Sequence, residues 1–574
     1  MFFHKDDQND LPCLPSQAPD PASRQKSLEK ARQEYQFDQT YLAPLPMMYV
    51  NTDGRVGNVE GVLGVFALPK SARAPEAYSV GRAEALAEVP LEALRTHGES
   101  KEPTFPALSG FASLLKGFPM PAAISPRPDD IQIVAERLAG VNPVMISRLS
   151  EWPANYAFTN ENLKHVLGEI TLEEALAEGD LYVCDYHLLE SPTPLPMGTS
   201  EVGPRYVRAV IALFMVVKTP GITQGQLVLL GIQTGQTSDD VVVTPRDGAA
   251  WVAAKHLLQV ADFNYHEMVT HLCHTHFCEE GIAVATARSL YVNHPIAVLL
   301  APHFAVLLFN NFEGRELLVN PGGPVSTILA PTLDGSLDLV KRGYAVWNWD
   351  NWCLPKALEK RGVGPSCSIT NYPYRDDALL LWDAISRYVS NYVAIYYPND
   401  ATVATDVELQ YWINELTSLN GAHVPGLDPE LKTVAQLEDM LTRIIFTAGP
   451  QHSAVNYAQY DFMAYVPQMA GAVYGPVPTS LKDLNLQGPL QYLPPPGAAA
   501  VQSRIIYELT SYRYDKLGDY AASMVDPQAK AVVEQFYAQL QEIDKVIAAR
   551  ETTGRSPYPY PYLQPSLVLN STSI

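Results

Sequence analysis

Histidine is concentrated in one short part of this chain. Seven of the thirteen histidines lie within 48 consecutive residues, in an apolar, helix-compatible setting, at positions 256, 266, 271, 274, 276, 294 and 303. A single buried histidine is usually satisfied by hydrogen bonds inside a core. The run H-x4-H-x4-H-x17-H-x8-H matches no structural repeat, so we predict a buried metal site that the rest of the fold must enclose.

Two of these histidines, His271 and His276, are five positions apart. On a regular α-helix this spacing turns their directions by about 140°. A π-helical turn would bring both to one side, and such turns concentrate at functional sites. We therefore predict a π-helical turn here. Downstream, His452 and Asn456 are four positions apart, which places them on one face of a second helix and allows both to enter the same site.

Composition and charge exclude several classes of function. The 574 residues are 47% hydrophobic and 18% charged, which describes a protein with a large core. A formal net charge of -22 argues against binding to nucleic acid or to anionic lipid. The longest clean apolar run, at 209–217, is too short to cross a bilayer, which leaves peripheral membrane contact open. Six cysteines without CxxC pairs, and no signal peptide, indicate a reduced, cytoplasmic protein.

The pattern along the chain predicts a mainly α protein with one large helical domain. Residues 1–20 are expected to form a flexible tail, and Asp20 and Pro21 to begin a charged helix. Residues 21–125 indicate a helix and loops, without a run of strands that could form a β-sandwich. Residues 181–243 predict a small antiparallel β subdomain. The C-terminal segment SPYPYPYLQPSLVLNSTSI is apolar and rich in proline, so we expect it to be held inside the protein.

Two metal-based alternatives fit the histidines poorly. His266, Glu267 and His271 read H-E-x-x-x-H, one residue longer than the H-E-x-x-H of zinc proteases. A heme protein needs fewer histidines than this, and no C-x-x-C-H occurs.

From about Pro21 onward the chain closely resembles the lipoxygenases. The resemblance rests on LAGVNP (138–143), the segment from TPRDGAAW to LLAPHF (244–304) that contains the histidine run, NYPYRDDALLLWDAISRYV (371–389), GPQHSAVNYAQYDFMAYVP (449–467) and the terminal NSTSI. Met268 and Thr270 stand where the family usually has leucine and serine, which is a mild departure.

The resemblance implies a single non-heme iron. By position, its ligands are His271, His276, His452, Asn456 and the α-carboxylate of Ile574. Three imidazoles, an amide oxygen and a carboxylate form a mixed set that suits iron, and manganese can occupy the same set. The resemblance also places Glu267 and Gln459 where hydrogen bonds link the substrate pocket to the metal ligands. It assigns no ligand role to His266, His294 and His303, and His256 and His274 are expected to be structural.

Four further positions match the family's substrate pocket. Leu318 and Leu509 fall where aliphatic side chains clamp the substrate, and Val325 lies nearby. Each of the three, taken without the resemblance, would be assigned to ordinary core. Gly314 matches a position that is usually alanine in S-forming and glycine in R-forming members. The resemblance therefore implies an R-configured product, because the missing methyl group opens space for oxygen at one end of the radical.

The implied reaction is the dioxygenation of polyunsaturated fatty acids that contain a cis,cis-1,4-pentadiene. Ferric hydroxide removes a hydrogen atom, O2 adds to the opposite face of the radical, and a hydroperoxide results. One alternative is a hydroperoxide isomerase or epoxyalcohol synthase on the same scaffold. Another is a lipid-binding protein without catalysis, against which the complete ligand set argues.

The resemblance also has gaps. The N-terminal PLAT-type β-sandwich of many lipoxygenases has no counterpart in this sequence, so membrane-borne substrate would need another surface. Around Tyr465 the sequence lacks the arginine of some plant enzymes, which leaves the partner of the fatty-acid carboxylate unassigned. The preferred fatty acid, the carbon oxygenated and the oligomeric state also stay open.

Overall fold

The computed structural model describes residues 11–50, 68–87, 89, 102, 104–125, 128–200, 203–218, 225–475, 477–478, 480–486 and 489–574. Within these ranges the protein is mainly helical with small antiparallel sheets, which confirms the predicted fold class. In the N-terminal half, up to the long helix, the helices are Pro21–Glu34, Glu76–Ala87, Ser109–Ser113, Asp130–Ala139, Asn160–Leu167 and Leu172–Ala177. Helix Pro21–Glu34 begins as predicted, because the Asp20 side chain accepts a hydrogen bond from the Ser23 amide.

The C-terminal half consists almost entirely of helices. Three joined segments make one long helix over 249–289: Ala249–Tyr265, the π-helix His266–Phe277, and Cys278–Ser289. A second composite helix over 434–456 joins Val434–Phe446, the π-helix Thr447–Gln451 and His452–Asn456. The other helices are Pro295–Leu300, Leu307–Leu317, Pro324–Ile328, Leu333–Val346, Leu354–Lys360, Pro373–Tyr396, Asp400–Thr405, Val407–Thr417, Gln459–Met463, Leu481–Leu486, Pro496–Glu508 and Pro527–Glu551.

The main sheet is antiparallel, and four of its five strands lie within the predicted region 181–243, whereas the short strand Ser147–Arg148 lies outside it. Its strands, in spatial order, are Ser147–Arg148, Leu181–Asp185, Ile211–Val217, Gln226–Gln233 and Val242–Val243. Six of the seven residues of Ile211–Val217 are buried, so this run is a central strand covered on both faces. A smaller sheet pairs Gly203–Tyr206 with Thr199–Ser200 and with Val473–Tyr474, and thereby ties this region to the C-terminal half.

The N-terminal region departs from the prediction in two places. Strands Phe37–Leu42 and Leu45–Met48 form a hairpin that the sequence analysis did not predict, because Pro44 and Pro46 suggest loop rather than strand. Residues 11–20 pack against the body rather than extending from it as a tail. Leu14 is buried, and the Cys13 amide donates to the Asn293 carbonyl at 3.0 Å. Residues 1–10 of the expected tail lie outside the described residues, as do 51–67 and most of 88–103.

The long helix runs through the centre of the core. Nearly every residue from Ala250 to Tyr265 is buried, and the helix packs against Pro21–Glu34, Leu333–Val346, Val407–Thr417 and the second composite helix. Such burial on all sides explains why its sequence lacks a polar face. The stretch Pro295–Leu317 is long and apolar enough to span a bilayer, yet 83% of its most apolar window is buried in the protein. It is therefore weak evidence for a membrane span and fits a core helix.

A buried polar network joins the segment LAGVNP to the long helix. The Asn142 amide donates to Asp262 at 2.9 Å and accepts from the Thr270 hydroxyl at 3.0 Å. Asp262 in turn forms an ion pair with Arg137, and both side chains are at most 1% exposed. Because each of these polar groups has a partner, the network fixes the helix at the start of its π segment.

Candidate metal centre

Both helices that carry the candidate metal ligands contain a π-helical segment. The segment His266–Phe277 confirms the predicted π-helical turn around His271 and His276. The segment Thr447–Gln451 was not predicted. It contains Pro450, which has no amide hydrogen to continue the regular α-helical ladder. The widened turns direct His271, His276 and His452 towards one another from the two helices.

The three imidazoles form a compact cluster. Each offers one ring nitrogen, and these three nitrogens all lie within 4.8 Å of one another. Nε2 of His271 and Nε2 of His276 are 3.1 Å apart. The ring centroids of His276 and His452 are 4.9 Å apart and those of His271 and His452 are 5.5 Å apart. All three residues are at most 5% exposed, so the cluster is isolated from bulk water.

Burial keeps the cluster uncharged. It lowers the pKa of His271 to about 3 and that of His276 to about 3, and it lowers the pKa of His452 well below its ordinary value. Neutral imidazoles have a lone pair that can bind a metal. Neither ring nitrogen of His452 has a hydrogen-bond partner of ordinary geometry, although the Ile574 backbone lies close enough to raise its pKa slightly. Buried and unpartnered, His452 fits a metal ligand.

Asn311 is a functional residue that the sequence analysis missed. Its Oδ1 lies 2.9 Å from His276 Nδ1, while its Nδ2 donates to the His276 carbonyl and to Glu280. Both amide hydrogens point at oxygens, so Oδ1 must face a donor, and Nδ1 of His276 carries the proton. Nε2 of His276 is then left with its lone pair facing the cluster. A lone asparagine 35 positions downstream offers no spacing signal that could have revealed this contact.

Replacing Asn311 with leucine is expected to weaken metal binding without unfolding the protein. The change removes the acceptor that fixes the tautomer and orientation of His276, and loss of such a partner typically lowers metal affinity 10- to 100-fold. Iron affinity measured by competition with a chelator tests this expectation. The unfolding temperature of metal-free protein serves as the control for damage to the core. Unchanged iron affinity would show that Asn311 does not orient the imidazole.

The other two predicted ligands lie beside the cluster. The Asn456 side chain is fully buried, with Oδ1 accepting from Gln459 Nε2 at 3.0 Å and Nδ2 donating to the Leu509 carbonyl at 3.0 Å. This orientation leaves Oδ1 with a free lone pair. Ile574 is 3% exposed and its backbone faces His452. The Asn456 amide therefore lies one helical turn from His452, and the end of the chain faces the same imidazole.

The last five residues are buried, and four of them are held by individual hydrogen bonds. The Asn570 carbonyl accepts from His303 Nδ1 at 2.8 Å, and the Ser571 hydroxyl donates to the Ala305 carbonyl at 2.8 Å. The Thr572 hydroxyl donates to Glu279 at 2.6 Å. The Ser573 carbonyl accepts from the Tyr78 hydroxyl at 2.8 Å. These contacts fix the path of the chain into the site and so determine where Ile574 lies.

Glu267 and Gln459 are only partly connected to the cluster. Glu267 Oε2 is 3.6 Å from His271 Nδ1, and Gln459 donates to Asn456. One oxygen of each side chain, Oε1 of Glu267 and the amide Oε1 of Gln459, is buried without a hydrogen-bond partner among the described residues. Burial raises the pKa of Glu267, which favours a neutral carboxyl group there. Both oxygens are thus free to accept a hydrogen bond from water or substrate.

The remaining histidines of the run have protein partners rather than a place in the cluster. Most use one ring nitrogen as a donor: His266 to the Val455 carbonyl, His274 to the Gly343 carbonyl, His294 to Asp406 and His303 to the Asn570 carbonyl. Nε2 of His256, in contrast, is buried without a partner. Of the five histidines in the pattern H-x4-H-x4-H-x17-H-x8-H, therefore, two meet at the candidate site and three hold neighbouring chain segments.

The expected pocket residues lie in two places. Gly314 and Leu318 are on one helical turn, and the Val325 amide donates to the Leu318 carbonyl at 3.2 Å. Leu509 is joined to the cluster through the bond from Asn456 to its carbonyl. A methyl group placed on Gly314 would meet no atom within 4 Å, so open space borders this glycine.

The residues present fit a resident metal ion with mixed nitrogen and oxygen ligands. Three neutral, water-excluded imidazoles from His271, His276 and His452 are joined by the amide oxygen of Asn456 and the end of the chain. Thiolates are missing from this set, so it favours iron or manganese over metals that prefer sulfur. A bound ion would also give His452 the partner that the protein does not provide.

Comparison with known proteins identifies the class to which this fold and site belong. The family model described as Lipoxygenase matches residues 112–557. The chain belongs to the lipoxygenase family. Among curated relatives, the linoleate 9/13-lipoxygenase of Pseudomonas aeruginosa is 33% identical over 81% of this chain and 70% of that protein. The human hydroperoxide isomerase ALOXE3 is 35% identical over 76% of this chain and 61% of that protein.

Solved structures agree with this assignment. A coral 8R-lipoxygenase superimposes with a TM-score of 0.86 and 28% identity over 98% of this chain and 83% of that one. A calcium-dependent 11R-lipoxygenase gives a TM-score of 0.85 at 28% identity, again over 98% of this chain. The chain spans 61% of the length of the human relative and 43% of the allene oxide synthase-lipoxygenase protein of Plexaura homomalla. Iron binding and fatty-acid oxidation are characteristic of this family.

Proposed function

We propose that this protein is a dioxygenase that converts polyunsaturated fatty acids with a cis,cis-1,4-pentadiene into hydroperoxides. The observation that carries the proposal is the buried, neutral cluster of His271, His276 and His452 next to the end of the chain. Relatives named as lipoxygenases support it, including one named for action on linoleate.

Iron bound at this site would supply the one-electron chemistry that removes a hydrogen atom from the bis-allylic carbon. The protein's own part is to hold the metal, to orient the substrate and to shield the reaction from water. Neutral imidazoles, and a Glu267 whose pKa is raised by burial, limit the fixed charge beside the substrate, and burial keeps water away from a carbon radical. Aliphatic side chains at Leu318, Val325 and Leu509 provide contact for the pentadiene without reacting with it. No side chain needs to act as an acid or base.

We further propose that the product has the R configuration. The open space beside Gly314 supports this, because a methyl group there would occupy volume that oxygen needs at one end of the radical. Structural neighbours named as 8R- and 11R-lipoxygenases agree with the same interpretation. The proposed substrates are linoleate and arachidonate.

Replacing Gly314 with alanine is expected to shift the product from R towards S, with a change in the position of oxygenation. The substitution meets no atom within 4 Å and lies inside helix Leu307–Leu317, so it should also stabilise the protein by about 0.5–1 kcal/mol. Chiral chromatography of the linoleate and arachidonate products measures the first effect, and denaturant unfolding the second. If the variant is stabilised but still makes the R product, the stability effect is confirmed and the proposed role of Gly314 in directing oxygen is wrong.

The dioxygenase proposal is tested by incubating iron-loaded protein with linoleate and O2. Conjugated diene should form in proportion to the oxygen consumed. The His452→Leu variant is the matched control for oxidation by loosely bound iron. If the wild-type protein neither consumes oxygen nor forms conjugated diene, the dioxygenase proposal is wrong.

A hydroperoxide isomerase is the second candidate function. It is favoured by the 35% identity to the human relative of that name. This activity would convert a fatty-acid hydroperoxide into epoxyalcohol without consuming oxygen. Anaerobic incubation with the linoleate hydroperoxide distinguishes the two reactions, because the dioxygenase alone leaves the hydroperoxide largely intact.

We also propose a reducing, cytoplasmic location with no more than peripheral membrane contact. All six cysteines are free, and four of them are buried. The net charge of -22 opposes electrostatic attraction to anionic lipid, which supports no more than peripheral contact. Flotation with neutral and with anionic vesicles would measure such contact directly.

A further inference from the structure

A second cavity lies outside the metal cluster, on another side of the two π-helical segments. Its volume is about 370 Å³, within the usual range for small-molecule sites. Thr270 and Thr275 of the first π-helical segment line it, as does Gln451 of the second. We call it the rear cavity. Its walls are rich in aromatic rings, contributed by Tyr265, Trp347, Trp352, Tyr374 and Phe446.

The charge lining the rear cavity is opposite to that of the whole protein. The chain carries 62 acidic and 40 basic residues, yet none of the described residues that line this cavity is an aspartate or glutamate, whereas Lys360 and Arg361 line it. Arg361 donates to the Ile146 carbonyl and the Tyr372 hydroxyl, which are uncharged. Neither cation forms an ion pair with another described residue. Lys360 is exposed, so its ammonium group lies where the cavity meets solvent.

One buried donor in the wall has no acceptor. Trp347 is 3% exposed, and its Nε1–H makes no hydrogen bond with any residue that the structure describes. Nε1 of the neighbouring Trp352, by contrast, donates to the His274 carbonyl at 2.9 Å. A buried N–H without a partner is costly, and a ligand oxygen in the cavity would satisfy it.

We propose that the rear cavity binds a small aromatic carboxylate. The aromatic walls accept a planar ring, Lys360 and Arg361 attract the negative charge, and the Trp347 Nε1–H donates to a carboxylate oxygen. Because Thr275 and Gln451 directly precede His276 and His452, a ligand here contacts the turns that carry two of the candidate metal ligands. The site is distinct from the proposed dioxygenation and does not depend on it.

Calorimetric titration of iron-loaded full-length protein with 4-phenylbutyrate tests the proposal. We expect saturable one-to-one binding, and about tenfold weaker binding of the uncharged 4-phenylbutanamide. Trp347→Phe keeps the ring but removes the donor and should weaken 4-phenylbutyrate binding about tenfold. Lys360→Gln removes an exposed charge and should weaken it roughly threefold. Lys356→Gln is the matched control, because Lys356 lies on the same helix but pairs with Asp350, and it should leave binding unchanged.

Three results would overturn the proposal: no binding at millimolar 4-phenylbutyrate, equal binding of the acid and the amide, or binding that neither Trp347→Phe nor Lys360→Gln weakens. The last result would place the ligand in another cavity such as the fatty-acid channel. Because Lys360 is exposed, its variant should fold and thus tests the site even if the tryptophan variant does not.

Discussion

Replacing His452 with leucine should abolish iron binding and dioxygenase activity while leaving the metal-free protein at least as stable as the metal-free wild type. His452 contributes two buried nitrogens without hydrogen-bond partners. An apolar side chain of similar size removes both, so the usual cost of an unsatisfied polar group disappears. We expect iron affinity to fall by at least about 100-fold, since even a residue that only supports a ligand costs 10- to 100-fold.

The measurement is thermal unfolding with and without ferrous iron, together with iron content after desalting. Wild-type protein should gain stability with iron because the ion binds only the folded state. The variant should gain none. His266→Leu is the matched control within the same histidine run, because His266 donates to the Val455 carbonyl. That variant should lose stability in the metal-free state and keep its response to iron. The reverse pattern would assign His266, not His452, to the metal.

The sequence predicts the centre of this protein well because the relevant signals are local. The five-residue spacing of His271 and His276 leaves a regular helix unable to place both on one side, so the π-helical turn follows from geometry. The central strand Ile211–Val217 is equally predictable, since a short run of β-branched and apolar residues between turn signals predicts a buried strand. In both cases neighbouring residues carry the information.

Other features depend on contacts between distant parts of the chain. Asn311 approaches His276 only after the helix Leu307–Leu317 has packed beside the long helix. The hairpin Phe37–Leu42 and Leu45–Met48 contains two prolines, and packing against the long helix outweighs their poor strand propensity. The contact with Asn293 that anchors residues 11–20 likewise leaves no signal in the local sequence. Local patterns cannot report a partner that lies tens to hundreds of residues away.

The distribution of the ligands explains why the whole domain must fold before a metal can bind. One helix carries two of the histidines and a second helix carries the third, while the last residues enter from another side. Glu279 sits at this junction, fully buried, and accepts a hydrogen bond from Thr572. Burial raises its pKa well above the ordinary value, which disfavours a negative charge beside the site. Helix packing and the position of the C-terminal segment are therefore coupled.

Adding one glycine after Ile574 should eliminate activity while the fold persists. The added residue would convert the α-carboxylate of Ile574 into an amide and move the new carboxylate away from His452. The surroundings are buried, since Ile574 is only 3% exposed. A metal ligand would be lost and no solvent could take its place. We expect iron content and dioxygenase rate to fall by at least about 100-fold, as for His452→Leu. Linoleate oxygenation, iron content and circular dichroism together make the measurement.

Ile574→Val is the matched control, because it keeps the carboxylate and removes only one methylene. It should cost about 0.5–1.5 kcal/mol of stability and retain most of the iron. A glycine inserted before Met1 controls for lengthening the chain as such. An extended protein with full iron content and full activity would contradict the assignment of the Ile574 carboxylate. The buried contacts of Ser571, Thr572 and Ser573 would then serve the fold alone, and the metal would rest on the three histidines and Asn456.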